Sequence, residues 1–157
     1  MTGGCCRLNL GCGRSLLDGF VNIDIAPPAD IVGDFTMMSF EGVDEVVMSH
    51  VLEHFEWRRT GEVLATIRKW CAPGAKVTIE VPDMAALCER GCNYPHWQQW
   101  IFGEQGREGQ RHLSGFTEGS LAEALAVNGF KVHQVRRFIS QHPDRTGYPC
   151  IEAIAYV

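Results

Sequence analysis

The chain is predicted to fold as an α/β domain with a mostly parallel sheet, and three observations carry the prediction. Short apolar runs recur, each bounded by Gly, Pro or acids. Helix-spaced apolar stretches lie between and after the later runs, and a glycine-bearing turn joins the first two. Alternation of this kind predicts helices on both faces of the sheet.

Strands are expected near Cys6–Leu10, Val21–Asp24, Asp30–Val32, Glu45–Met48 and Lys76–Val81. Thr60 is a candidate cap for a helix in which Val63, Leu64, Ile67, Trp70 and Cys71 follow helical spacing, stopped by Pro73-Gly74. Thr117 is a candidate cap for a second, with Leu121, Ala124, Leu125 and Val127 inward and Gly129 just past its end. Lys131–Arg137 and Ile151–Val157 read as closing strands joined by a polar loop carrying Pro and Gly. Only ten residues separate Leu10 from Val21, fewer than a crossover with a full helix needs. The first helix is therefore expected to shrink to about a turn around Arg14–Leu17. Ala26-Pro27-Pro28-Ala29 is shorter again, so no helix fits before the third strand, which must be short or irregular.

The segment Cys6-Arg7-Leu8-Asn9-Leu10-Gly11-Cys12-Gly13, followed by Val21-Asn22-Ile23-Asp24-Ile25, carries the strongest functional signal. It reads as strand, glycine turn and second strand ending in an acid. Glycine permits positive φ and close ligand approach, and an acid at the neighbouring strand tip can accept hydrogen bonds from both ribose hydroxyls. A nicotinamide dinucleotide site would need G-x-G-x-x-G, with the acid about 20 residues on. Here the third glycine position is Leu16, and Asp24 follows Gly13 by only eleven residues. A cofactor with a ribose and no phosphate, S-adenosylmethionine (SAM), suits this layout better.

Further blocks follow in order: Asn22-Ile23-Asp24, Gly33-Asp34-Phe35, Ser49-His50-Val51-Leu52-Glu53-His54, Ala72-Pro73-Gly74-Ala75-Lys76-Val77 and Leu125-Ala126-Val127-Asn128-Gly129-Phe130-Lys131-Val132. With Leu8–Gly13, they resemble the successive sequence blocks of class I SAM-dependent methyltransferases over nearly the whole chain. The resemblance implies a Rossmann-like three-layer sandwich with a mostly parallel sheet and an antiparallel closing strand. It implies SAM as cofactor, with the backbone at Leu10, Gly11, Cys12 and Gly13 facing its methionine part and Asp24, beside Ile25, binding the ribose. Asp34 matches the acid that takes the adenine amino group, with Phe35 beside the base, and Ser49 and His50 match positions at the methionine end. The chain departs from the family in its short first connection and in having no helix before the first strand, and so resembles a minimal member.

Composition fits one compact domain spanning residues 1–157, with 45% apolar residues. A net charge of −5 argues against a nucleic-acid-coating role, and Arg58-Arg59, Arg68-Lys69 and Arg136-Arg137 read as solvated edges. No segment approaches the about 20 apolar residues of a membrane span, and no secretion signal is evident, so a cytoplasmic location is expected. Seven cysteines without a framework suit reduced thiols. Cys88 and Cys92 one turn apart and the adjacent Cys5-Cys6 complete no metal set, and none is expected.

Methyl transfer needs an in-line acceptor and a base only where the acceptor is an alcohol or protonated amine. His50, Glu53, His54, Asp83 and His112 are candidate bases or substrate ligands near the strand ends, with His50 the first choice as catalytic residue. His50-Val51-Leu52-Glu53-His54 also matches H-x-x-E-H formally, but zinc hydrolysis needs that motif on a long helix with a further acidic ligand. Residues 84–114 form the expected substrate or lid segment, carrying Tyr94, His96, Trp97, Trp100 and Phe102 and then Gly103, Gly106 and Gly109. Its aromatics equally suit core packing or a dimer contact. His54, Trp97, Trp100 and His112 are the candidate substrate residues, for a small molecule rather than nucleic acid. The alternative is a non-catalytic SAM-binding subunit whose pocket a second copy or a partner chain completes.

Overall fold

The computed structural model describes residues 6–90, 96–106, 109–141 and 147–157; Cys5, Cys92 and Tyr94 lie outside them. Seven strands form one sheet in the order β3-β2-β1-β4-β5-β7-β6. They are β1 (Cys6–Leu10), β2 (Val21–Asp24), β3 (Ile31–Val32), β4 (Val43–Ser49), β5 (Cys71–Pro82), β6 (Lys131–Ile139) and β7 (Pro149–Tyr156). The first five pair in parallel, while β7 runs antiparallel to both β5 and β6. The helices are α1 (Thr60–Trp70), α2 (Met84–Arg90), α3 (Trp97–Phe102) and α4 (Glu118–Val127). Among the described residues, no helix is long and apolar enough to cross a membrane.

Register fixes which side chains share a face. Leu8, Val46, Val77 and Ala155 align across four strands, as do Leu10, Met48, Ile79 and Ala153. All are fully or almost fully buried in one cluster with Val63, Leu64 and Ile67 of α1 and Leu121 and Leu125 of α4. Burying each large aliphatic side chain contributes about 1.5–3 kcal/mol, so this face supplies most of the hydrophobic stabilisation. One residue out of step, the other face presents Arg7, Glu45 and Lys76 in one row and Ser49, Glu80, Glu152 and Arg136 in another. These side chains pair with one another, Lys76 with Glu45 at 3.3 Å and Arg136 with Glu152 at 2.6 Å.

On that polar face, over β1 and β2, two loops are fastened by a carboxamide network. Asn22 Oδ1 accepts from Asn9 Nδ2 and from the Leu17 N–H, both at 2.8 Å. Asp30 Oδ2 accepts from the Asn22 backbone N–H at 2.8 Å and its Nδ2 at 2.9 Å, and Asn9 Nδ2 also reaches Ser15 O at 2.9 Å. Both asparagines are buried, so each bond replaces a lost bond to water. These two donations from Asn22 hold the Asp30 carboxyl below its usual range.

Several expectations are corrected. Residues 11–20 form hydrogen-bonded turns, Ser15 N–H to Cys12 O and Phe20 N–H to Leu17 O, rather than a helical turn around Arg14–Leu17. Thr60 is the first residue of α1 and not its cap, because a 3-10 turn at Trp57–Arg59 runs straight into the helix. Cys71 opens β5 instead of closing α1, and Val127, expected inward, is 75% exposed at the end of α4. Thr117 does cap α4, its hydroxyl accepting from Ser120 N–H at 3.2 Å while Ser120 Oγ accepts from Thr117 N–H at 2.9 Å.

The glycine turn is set by sterics. Gly11 has φ +64, and a Cβ there would lie 2.3 Å from Val51 Cγ2; Gly13 has φ +53 with open space around it. Gly11→Ala combines left-handed strain of about 1–2 kcal/mol with a clash, whereas Gly13→Ala incurs the strain alone. Thermal unfolding should show the larger loss for Gly11→Ala, and equal losses would contradict the packing account. Asn22→Leu strands the Leu17 N–H and the Asn9 amide at about 1–3 kcal/mol each, and denaturant unfolding should show that loss with an unchanged m value. A loss below about 0.5 kcal/mol would mean that the network does not hold the loops.

Candidate functional site

A cleft of about 640 Å³ opens at the C-terminal edge of the parallel strands, lined by residues from both ends of the chain. Gly11, Cys12, Gly13 and Asp24 line one side; Ser49, His50, His54, Trp100, His112 and Tyr148 line the other. The edge position follows from topology, because the chain leaves β1 and β4 in opposite directions across the sheet there.

Asp24 is tied to the glycine turn. Its Oδ2 accepts from the Gly13 N–H at 2.8 Å and its Oδ1 from the Ala26 N–H at 3.1 Å, so the carboxylate is oriented by backbone donors on both sides. Each oxygen keeps acceptor capacity for a further donor. A ribose diol fits that donor set, and the open space at Gly13 leaves the turn accessible from the cleft.

Cys12 is buried beneath the turn, and burial, then the nearby Asp24 charge, raises its thiol pKa, so it is a packing residue rather than a reactive thiolate. Ser49 donates to Glu80 Oε2 at 2.6 Å, which fixes its hydroxyl at the cleft edge.

On the far side, His50 takes φ +55, a left-handed conformation uncommon outside glycine. That geometry turns its ring back over the chain, where Nδ1 lies 3.2 Å from Glu53 Oε1 and Nε2 lies 3.5 Å from Cys150 Sγ. Glu53 is 1% exposed. The His50 approach has ion-pair distance but not hydrogen-bond alignment, and neither carboxylate oxygen of Glu53 accepts a well-formed hydrogen bond among the described residues. Burial opposes ionisation of Glu53, yet His50, His54 and His112 around it together hold its pKa below the usual carboxylate range. Burial lowers the His112 pKa, favouring the neutral imidazole despite the nearby Glu53 charge.

The loop after α3 is zipped onto this segment. Glu53 O accepts from the N–H groups of Leu113 at 2.8 Å and Ser114 at 3.1 Å. Gly103 is required there, because a Cβ would meet Gln110 O at 2.0 Å. The zipper brings His112, far away in sequence, beside His54, with ring centroids 5.0 Å apart.

The structure thus gathers Gly11, Cys12, Gly13, Asp24, Ser49, His50, His54, Trp100 and His112 in one place. The remaining expected residues lie elsewhere. Asp34 caps its own 3-10 turn, its Oδ1 accepting from Thr36 N–H at 2.9 Å and Thr36 Oγ1 at 2.7 Å. Phe35 turns inward against the Phe55 and Trp70 rings, so its ring is core. Leu10 is fully buried, and Ile25 is 61% exposed near the Gly109 backbone. Trp97 packs on Phe102 at 6.3 Å between centroids and does not line the cleft. Asp83 is buried on Arg137 and accepts from the Ala86 N–H at the start of α2, which makes it a structural anchor. Among the cleft residues that sequence reasoning missed are Glu104, Gln110 and Tyr148, of which Tyr148 packs on Trp100 with tilted rings 4.0 Å apart between centroids. No motif marks them, since the fold brings them in from loops.

The comparisons agree with this architecture. A family model described as a methyltransferase domain matches residues 15–135. No curated protein matches the sequence. Among solved structures, a SAM-dependent methyltransferase from Methanosarcina mazei superposes with a TM-score of 0.70 at 16% identity, covering 98% of this chain and 93% of its own. A Burkholderia thailandensis 1,6-didemethyltoxoflavin N1-methyltransferase, with its substrate and S-adenosylhomocysteine bound, gives 0.68 at 19% identity, covering 96% and 70%. A methyltransferase held in complex with an activator protein in Haloferax volcanii gives 0.68 at 14% identity, covering 98% and 82%. The fold, the glycine turn with its strand-tip acid, and the matched family model together place this chain in the methyltransferase domain family, with S-adenosylmethionine as its cofactor.

Proposed function

We propose that this protein transfers the methyl group of SAM to a small-molecule acceptor held in the cleft between the glycine turn and the α3 side. The observation that carries the reading is that the oriented Asp24 carboxylate and the polar side chains of the far wall share one cavity of about 640 Å³. That volume lies within the range of small-molecule sites and leaves room for an acceptor beside a cofactor.

When bound, SAM supplies a sulfonium-activated methyl group. Asp24 receives the ribose hydroxyls, and the backbone of Gly11–Gly13 borders the methionine side. His54 and His112 present imidazole edges to the acceptor, and Trp100 with Tyr148 supplies an aromatic wall. His50 is assigned to positioning, because Glu53 and Cys150 engage its two ring nitrogens.

A small molecule is also the acceptor of the Burkholderia neighbour, and the open cleft suits an acceptor of that size. Reduced thiols at Cys6, Cys12, Cys71, Cys88 and Cys150 fit work in the cytoplasm.

Calorimetric titration with S-adenosylhomocysteine should give saturable one-to-one binding. Asp24→Ala, which removes the acceptor for two ribose donors, should weaken it by at least about 1.5–3 kcal/mol, a tenfold to hundredfold loss. Unchanged affinity in a folded Asp24→Ala chain would refute the assignment.

A further inference from the structure

We propose that Glu53, His54 and His112 form a binding site for a divalent transition-metal ion on the far wall of the cleft. One ligand atom from each of the three lies within 4.8 Å of the others. His112 Nε2 is 4.0 Å from Glu53 Oε1.

The hydrogen bonds around the cluster prepare both imidazoles for coordination. His54 Nδ1 faces Arg111 O at 3.0 Å, and His112 Nδ1 faces Trp100 O at 2.8 Å. A carbonyl only accepts, so both Nδ1 atoms carry the proton and both Nε2 atoms keep a free lone pair. Backbone carbonyls that fix the tautomer in this way are the usual outer support of metal-bound histidines. The Glu53 side chain is 1% exposed, and among the described residues neither of its oxygens has a well-formed hydrogen bond, which is costly for a buried carboxylate. The off-axis contact from His50 answers only part of that demand, and a cation between the carboxylate and the two lone pairs answers the rest.

The frame holding the three is rigid. Glu53 O takes two backbone N–H bonds from residues 113 and 114, fixing the 52–54 turn against the loop that carries His112. Ligand atoms at about 2.0–2.2 Å around a tetrahedral ion stand about 3.4 Å apart, so side-chain movements below about one ångström close the set. Two imidazoles and a carboxylate suit zinc, iron, cobalt or manganese, and three protein ligands leave a position open. His54 and His112 line the cleft, so that open position faces the acceptor side and would take an oxygen or nitrogen donor from it. The set differs from the H-x-x-E-H pattern in the sequence: the distant His112 replaces His50 as ligand, and His50 supports Glu53 from behind. The proposed site departs from the expectation of no metal, which rested on sequence spacing alone. It does not depend on the methyl-transfer reading.

The full chain, stripped with a chelator and dialysed, is titrated with Co²⁺ while the visible d–d bands are followed. Saturable one-to-one binding that Zn²⁺ displaces is expected, with a rise in thermal midpoint on loading. His54→Gln and His112→Gln should each weaken Co²⁺ binding at least tenfold to a hundredfold, with Cys88→Ser leaving it unchanged. His54 is only half-buried, so its variant keeps the test valid if the more enclosed His112 variant misfolds. Absence of d–d bands with the folded wild-type chain, binding that survives His54→Gln, or binding lost with Cys88→Ser overturns the proposal.

Discussion

The carboxamide of Asn22 holds the cofactor edge of this fold together. It lies on the sheet face opposite the hydrophobic core and ties β1, the 11–20 loop and Asp30 to one point through Asn9, Leu17 and its own Nδ2, with the Asn22 backbone N–H adding a second bond to Asp30. In a longer chain a helix would cover this part of the sheet and satisfy its own backbone. Here ten residues do the job, and side-chain amides supply the hydrogen bonds that a helix would make internally. The position of Asp24 depends on this arrangement, because it follows Asn22 by two residues on the same strand and grips the glycine turn that the network anchors.

This substitution of loop for helix also bears on ligand choice. A helix N-terminus directed at a ligand favours phosphate through its free N–H groups and dipole. Residues 11–20 are turns, so the edge offers an acid and a glycine backbone without that anion site. A cofactor that joins a ribose to an amino acid matches it; a dinucleotide does not. The opposite wall is built on a different principle. Glu53 is buried with no well-formed hydrogen bond to its oxygens among the described residues, and the imidazoles of His50, His54 and His112 gather around it, held by backbone carbonyls and by the strained turn at His50. Such concentration of uncompensated polarity in a cleft marks a place where the fold gives up stability for chemistry.

Much of the fold was legible because short apolar runs and turn chemistry act locally. β1 and β2 fall on Cys6–Leu10 and Val21–Asp24 as the apolar runs require, and Thr117 with Gly129 brackets α4 through capping geometry. Thr60 misled because an upstream 3-10 turn already supplied the helix entry, and Val127 misled because periodicity cannot tell where a helix runs past the core. Asp24 was readable, since strand-tip position fixes its surroundings. Asp34 has a second, local role that the sequence reading did not name: its Oδ1 caps the following turn by accepting from the Thr36 N–H and hydroxyl. His112 was named from the sequence, but Tyr148 and Gln110 carried no local signal, and the cleft position of the 110–114 segment depends on long-range contacts such as the bonds from residues 113 and 114 to Glu53 O.

The central claim is that the glycine turn and Asp24 form the ribose-binding edge. Amide chemical shifts of the ¹⁵N-labelled chain during titration with S-adenosylhomocysteine test it most directly, since the Gly13 and Ala26 N–H groups both donate to the Asp24 carboxylate. The account predicts large, saturating shifts at Gly11, Gly13 and Ala26, with none of comparable size on titration with a nicotinamide dinucleotide. Saturation with those amides unmoved, or the same shifts from the dinucleotide, would contradict it.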